Sequence, residues 1–229
     1  FDLARGSETQ FTFDPEDDRD PVWSPDGSEI VFTSDRNGGG TLYRKASSGG
    51  SEEAIAEGAG YRASLDWSSK GQLLFGSRAP ATGQDLWIAP VSSNGALAGT
   101  PVPFLQTPYN ETPATFSPDG EWVAYVSNEL GVNEVFVAAV AGPSKGMWKV
   151  STSGGNSPRW RRDGKELFYL ALDNHLMAAP IQVAPDGRTL NPGAPASLFL
   201  TRLAAGANIF AGGVLSKAQY AVAPDGRFL

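Results

Sequence analysis

Short apolar runs, each closed by a turn signal, recur along the whole chain. The clearest are Glu121-Trp-Val-Ala-Tyr-Val-Ser127, Glu134-Val-Phe-Val-Ala-Ala-Val140 and Leu167-Phe-Tyr-Leu-Ala-Leu172. These runs are apolar at odd and even positions alike, whereas a sheet with one wet face would alternate. They therefore predict β-strands packed on both faces. Shorter runs of the same kind are Glu29–Ser34, Thr41–Lys45, Gln72–Gly76, Asp85–Pro90, His175–Ile181 and Ala196–Thr201. Helical periodicity is not convincing anywhere; Glu52–Glu57 would fit one helical turn, but after a Gly-rich turn it reads as an outer strand.

The turns carry a repeated phrase: Trp23-Ser-Pro-Asp-Gly27, Trp67-Ser-Ser-Lys-Gly71, Phe116-Ser-Pro-Asp-Gly120, Trp160-Arg-Arg-Asp-Gly164 and Val222-Ala-Pro-Asp-Gly226, spaced by 44, 49, 44 and 62 residues. Proline presets φ, aspartate caps the turn, and glycine supplies the positive φ. A period in the forties with this phrase predicts an all-β propeller of four-stranded blades. The third repeat shows the plan: Pro113–Phe116, Glu121–Ser127, Glu134–Val140 and Met147–Thr152 as successive strands, with loops at Asn128–Asn133 and Gly142–Gly146. At the ends, Phe1–Leu3 and Ser7–Phe13 read as third and fourth strands, and Gln219–Leu229 as a first strand, its turn and the start of a second. Together they would make one blade shared by both termini, closing the ring without exposed sheet edges. The expectation is one domain over 1–229 with about five blades: four complete over 20–201, an insertion at 202–218, and the shared blade from 1–13 and 219–229. The alternative is part of a six-bladed or larger ring. Phe1 stands where a strand is already under way, so the sequence reads as a piece of something longer.

Composition narrows the function. The 27 Gly and 17 Pro suit a chain that turns about every ten residues. A net charge of -7, with no Lys/Arg cluster beyond a pair, argues against nucleic acid, which requires a basic stripe. The absence of cysteine excludes disulfides, thiolate catalysis and Cys-ligated zinc. No apolar run reaches the length of a membrane span and no signal-peptide pattern opens the chain. No cofactor, metal or catalytic constellation is expected.

Candidate chemistry is sparse. Asp14-Pro-Glu-Asp-Asp-Arg-Asp20 could offer oxygens to calcium, but it lacks calcium-loop spacing and a glycine, and reads as a solvated connection. His175 is the sole histidine and reads as a polar loop residue. Asn110-Glu-Thr112 is a weak glycosylation match. Trp23, Trp67, Phe116 and Trp160 recur at one blade position, which points to packing between blades rather than to a sugar-stacking platform. What remains is one face, here the top face, formed by the connections from fourth to first strands and from second to third strands. A protein or peptide partner is expected there, around Arg36, Tyr61, Arg62, Arg78, Tyr109 and Glu111. Tyr61→Ala and Arg62→Ala are expected to weaken binding with little change in melting temperature. The opposite face, with Ser47–Gly50 and Ser92–Gly95, is small and polar.

The wording of the repeats is more specific than the fold. Phe-Asp-Leu-Ala-Arg-Gly (1–6), Asp-Pro-Val-Trp-Ser-Pro-Asp-Gly (20–27), Phe-Thr-Ser-Asp-Arg-Asn-Gly (32–38), Phe-Leu-Gln-Thr-Pro (104–108) and Pro-Arg-Trp-Arg-Arg-Asp-Gly-Lys-Glu-Leu-Phe-Tyr-Leu (158–170) resemble a TolB-like propeller. The resemblance is strongest to the C-terminal, extracytoplasmic sensor-like region of bacterial eukaryotic-type serine/threonine kinases. It implies ligand or protein binding outside the cytoplasm, coupled to a kinase that is not in this sequence: there is no Gly-rich phosphate loop, His-Arg-Asp loop or Asp-Phe-Gly. Two alternatives stand beside it, a TolB-like periplasmic interaction scaffold and the gating propeller of a prolyl oligopeptidase-type peptidase. The chain lacks the Gly-x-Ser-x-Gly elbow of such a hydrolase and is expected to be non-catalytic.

Overall fold

The computed structural model describes residues 6–56, 60–141, 146–203, 220–223 and 225–228. Four antiparallel sheets follow one another in chain order, each a propeller blade. Blade 1 is β1 (Asp18–Trp23), β2 (Glu29–Ser34), β3 (Thr41–Ala46) and β4 (Glu53–Ala56). Blade 2 is β5 (Arg62–Trp67), β6 (Gln72–Ala79), β7 (Gly83–Pro90) and β8 (Val102–Leu105). Blade 3 is β9 (Glu111–Phe116), β10 (Trp122–Ser127), β11 (Glu134–Ala139) and β12 (Met147–Lys149). Blade 4 is β13 (Asn156–Trp160), β14 (Glu166–Leu170), β15 (His175–Val183), β16 (Leu190–Pro192) and β17 (Ala196–Leu200). Its outer position is divided, because the long β15 pairs with β17 at His175–Ala178 and with β16 at Ile181–Val183. The sequence reading foresaw only the β17 part.

The two-sided apolar strands are explained by their neighbours. Along β10, Trp122, Ala124 and Val126 pack toward blade 4 while Val123 and Tyr125 pack toward blade 2. In β11, Val135 and Val137 go one way, Phe136 and Ala138 the other. This is the period-two alternation of a strand, with both destinations dry. Each large side chain so buried contributes about 1.5–3 kcal/mol. One apolar cluster fills each seam between successive blades.

The turns between first and second strands are built as the repeat predicts. In blade 3 the Gly120 N–H donates to the Ser117 carbonyl at 2.9 Å, Glu121 N–H donates to Asp119 Oδ1 at 3.0 Å, and Trp122 N–H donates to Ser117 Oγ at 3.0 Å. Gly120 sits at φ +69°, which a side chain would strain. In blade 1 the Ser28 N–H and the hydroxyls of Ser24 and Ser28 hold the Asp26 carboxyl down to about 2.

The ends lie at the two outermost flanks. Residues 8–13, read from sequence as strand, belong to no sheet. Instead Lys45 Nζ donates to the Phe11 carbonyl and lies 4.8 Å and 5.4 Å from the Phe11 and Phe13 ring centroids. A lysine thus takes the carbonyl that a neighbouring strand would need. At the other flank, Val222 and Phe228 form an antiparallel bridge around the last turn, and Tyr220, Val222 and Phe228 pack on Phe168, Leu170, Leu176 and Ala178 of blade 4. The expected strand at Phe1–Leu3, the core of the Gly142–Gly146 turn and most of the insertion at 202–218 lie outside the described residues. One expectation is corrected here. Trp67, Phe116 and Trp160 are buried against the preceding blade, but Trp23 is 58% exposed. Among the described residues no blade precedes blade 1, so its ring meets solvent.

Candidate functional site

The top face is assembled from inner-strand starts and the loops between second and third strands. At blade 1, Arg19 at the head of β1 grips Asp35 through two hydrogen bonds of 2.5 and 2.6 Å. Its Nε also donates to Tyr61 Oη at 3.3 Å, and the guanidinium lies 5.4 Å from the Tyr61 ring centroid. The Asp35 carboxyl is held below the usual carboxylate range by Arg19, with the Gly40 N–H adding to the effect. Gly40 joins blades 1 and 2: its carbonyl accepts from Arg62 N–H at 2.8 Å, and a Cβ on it would sit 2.6 Å from Tyr61 Cδ2 and 2.8 Å from the Arg62 carbonyl oxygen. Tyr61 therefore touches both sides of the seam, through Arg19 and Gly40.

Arg36 is turned away from the surface. Its Nε donates to Ser34 Oγ at 2.7 Å and its Nη2 to both oxygens of Asp18 at 3.1 Å. Nη1 pairs with Glu52 at 2.6 Å, Asp14 stands 3.5 Å away, and the guanidinium lies 4.3 Å from the Tyr43 ring centroid. It ties its own loop to β1, β3 and the residues before β4. The same contacts engage Asp14 and Asp18, two members of the acidic run considered for calcium. Among the described residues, no three carboxylates or histidines are grouped to hold a metal ion.

Blades 2 and 3 differ. Arg78 is exposed at the end of β6, and its N–H donates to the Tyr61 carbonyl at 3.1 Å. Arg62 pairs in register with Ser77 and is half-buried. Tyr109 is 43% exposed, its N–H bound to Thr107 Oγ1 at 3.1 Å. Glu111 is fully buried, accepting a hydrogen bond from the Thr107 hydroxyl on one oxygen while Oε2 has no hydrogen-bond partner. Burial pushes its pKa up to about 7 against the pull of Thr107, and the charges of Asp85 and Glu129 add to the rise. Asp85 is equally buried, with Oδ2 accepting from Thr82 Oγ1 at 2.7 Å and from Gln106 Nε2 at 3.2 Å.

Of the sequence candidates, the structure gathers Tyr61, Arg62 and Arg78 at one blade junction and links Tyr109 and Glu111 through Thr107 at the next, with Arg36 apart on the flank. Among the described residues of the top face, it also displays side chains the sequence reading left out: Leu130 at 58% exposure, Val132 at 47% and Leu172 at 39%. Their signal was available, as aliphatic residues inside the polar loops Asn128-Glu-Leu-Gly-Val-Asn133 and Leu172-Asp-Asn174. His175 is near this end of blade 4, its Nδ1 3.2 Å from Asp173 Oδ2. A depression of about 850 Å³ under residues 9–15 is lined in part by Arg36, and one of about 560 Å³ lies beside Trp122 and Trp160.

No protein-family model matches the chain, and no curated protein does. Solved structures do match. A TolB-type protein of Agrobacterium tumefaciens aligns at 16% identity over 78% of this chain and 65% of its own, with a TM-score of 0.58. TolB of Acinetobacter baumannii aligns at 17% identity over 80% of this chain and 45% of its own, with a TM-score of 0.56. A prolyl endopeptidase aligns at 14% identity over 78% of this chain and 29% of its own, with a TM-score of 0.51. The chain thus spans less than two thirds of each of these structures. The likeness establishes the fold, a TolB-like β-propeller.

Proposed function

We propose that this chain is a non-catalytic binding propeller whose top face receives a protein or peptide, and that it works outside the cytoplasm as the sensor or interaction region of a bacterial serine/threonine kinase. The observation that carries the binding role is the row of exposed large side chains on the top face. The top face presents large side chains on successive blades, Arg78 on blade 2, Tyr109 on blade 3 and Leu172 on blade 4. The opposite face presents small loops such as Ser47–Gly50 and Ser92–Gly95 beside charged turns that carry Lys70, Arg162 and Lys165. Large side chains on rigid connections suit the anchoring of a polypeptide, where a few residues supply most of the affinity. The kinase assignment rests on the repeat wording alone. The two TolB neighbours favour a second reading, an envelope interaction scaffold without a kinase.

Capture from bacterial envelope extract tests the binding role. Arg78→Ala and Tyr109→Ala should each lower recovery of a specific partner, while Ser92→Ala and Asn94→Ala should not. Partner recovery sensitive only to Ser92 and Asn94 would overturn the face assignment. The full reading frame decides between the remaining readings: a kinase and membrane span upstream support the sensor, a hydrolase domain downstream a peptidase gate. Peptidase or esterase turnover by the pure chain would refute the non-catalytic role.

A further inference from the structure

The second-to-third-strand loop of blade 3 is fixed at both ends. Asn128 Oδ1 accepts from the Asn110 N–H at 2.9 Å, and the Asn133 carbonyl accepts from the Gly155 N–H at 2.8 Å. Within it, the Gly131 N–H closes a turn on the Asn128 carbonyl at 3.0 Å. Leu130 and Val132 are therefore held outward on ordered backbone. Leu172, from the equivalent loop of blade 4, lies across Gly154, where an added Cβ would be 2.4 Å from Leu172 Cδ1 and 3.3 Å from the Asn133 carbonyl oxygen. Tyr109 adjoins the other end, next to Asn110. Tyr109, Leu130, Val132 and Leu172 thus mark a course of exposed apolar groups over blades 3 and 4. It is not a requirement of the fold: the corresponding loop of blade 1 is Asp35-Arg36-Asn37-Gly38, and that of blade 2 carries Pro80-Ala81-Thr82.

The charged residues of its own loops are acidic, while Arg78 and Arg202 stand at its margins. Glu129 precedes Leu130 and Asp173 follows Leu172 in sequence. Glu129 has no ion pair among the described residues, and Asp173 has only His175. Behind them lie Asp85 and Glu111, also without a basic partner among the described residues, whereas Lys149 at this end of blade 3 is committed to Glu134 at 2.7 Å. Opposite charge on a partner is attracted to such a surface, and like charge is repelled.

Resting on the binding role proposed above, we infer that this patch receives a cationic, apolar segment of a partner polypeptide, one in which aliphatic or aromatic side chains alternate with lysine or arginine. Its apolar groups cover Leu130, Val132 and Leu172, and its cations meet Glu129 and Asp173.

Fluorescence anisotropy with two short labelled peptides, one alternating Leu and Lys and the other Leu and Glu, tests this on the intact chain. The Leu/Lys peptide should bind and the Leu/Glu peptide should bind at least about tenfold more weakly. The double variant Leu130→Ser, Leu172→Ser should lose about tenfold or more in affinity for the Leu/Lys peptide with an unchanged melting temperature, since both side chains are exposed. Glu129→Gln should weaken binding and flatten its dependence on salt. Ser92→Ala on the opposite face serves as the control. Equal binding of the two peptides, full affinity in the double variant, or no binding of either peptide would each overturn the inference. Those failures leave the broader binding role to the envelope capture, which reads Arg78 and Tyr109 and does not depend on this peptide chemistry.

Discussion

Blade 1 and blade 3 offer the same kind of loop to the top face and use it in opposite ways. In blade 1 the charged groups turn inward: Arg19 closes on Asp35, and Arg36 closes on Asp18 and Glu52. In blade 3 the buried carboxyl of Glu111 has Thr107 and no cation for a partner, and the aliphatic side chains of Leu130 and Val132 face solvent. The first arrangement satisfies its own polar groups and fixes the blade junction. The second leaves polar groups and apolar surface without protein partners. The contrast separates residues that hold the ring together from residues available to something else.

The contrast can be broken most severely at Gly40. It has φ +63° and no room for a Cβ against the Tyr61 ring and the Arg62 backbone. Gly40→Ala should cost about 3 kcal/mol, against about 1 kcal/mol for Gly38→Ala, which has positive φ but open space; urea unfolding measures both. Equal costs would mean that the junction is not tight. Arg36→Ala should cost about 2 kcal/mol, because it leaves Asp18 half-buried without its cation and Glu52 with Lys45 alone.

Glu111→Gln should act in the other direction. Its carboxyl has a pKa near 7 in the folded chain and an ordinary value near 4.5 when unfolded. The folded state therefore binds the proton more tightly, and stability falls as pH rises through that window. The glutamine variant should be more stable than the parent by about 1–2 kcal/mol at about pH 8, with the difference vanishing below about pH 4.5. A variant less stable than the parent at the higher pH would show that the ionised carboxyl is satisfied after all. The smallest effect is expected from Leu130→Ser, within about 0.5 kcal/mol, since exposed substitutions rarely change stability more. A larger loss would mean that Leu130 packs within the fold.

What could be read from sequence divides along the same line. Strands, turns and the two-sided packing of β10 and β11 are encoded locally, in the alternation of side chains and in Ser-Pro-Asp-Gly, and they emerge where expected. The ion pairs of Arg36 with Asp14, Asp18 and Glu52 were not legible, because the sequence does not announce these residues as neighbours. Glu111 looked like a loop carboxylate, but β9 begins at that residue and buries it. Trp23 looked identical to Trp67, Phe116 and Trp160, and only the absence of a preceding blade among the described residues sets it apart. Leu130 and Val132 were legible in principle, as aliphatic residues between asparagines, but were passed over because large polar and aromatic side chains drew the choice of anchors.

The exposed ring of Trp23 also gives the molecule a built-in optical probe. The chain has six tryptophans, and Trp67, Trp122 and Trp160 are shielded inside the seams. Iodide in solution will quench Trp23 in preference to these three. Any polypeptide that comes to lie on the outer flank of blade 1, whether from the same chain or from another, will dim that quenching and shift the emission to shorter wavelength. Covering of that flank can therefore be followed by fluorescence without a label, and Trp23→Phe supplies the blank.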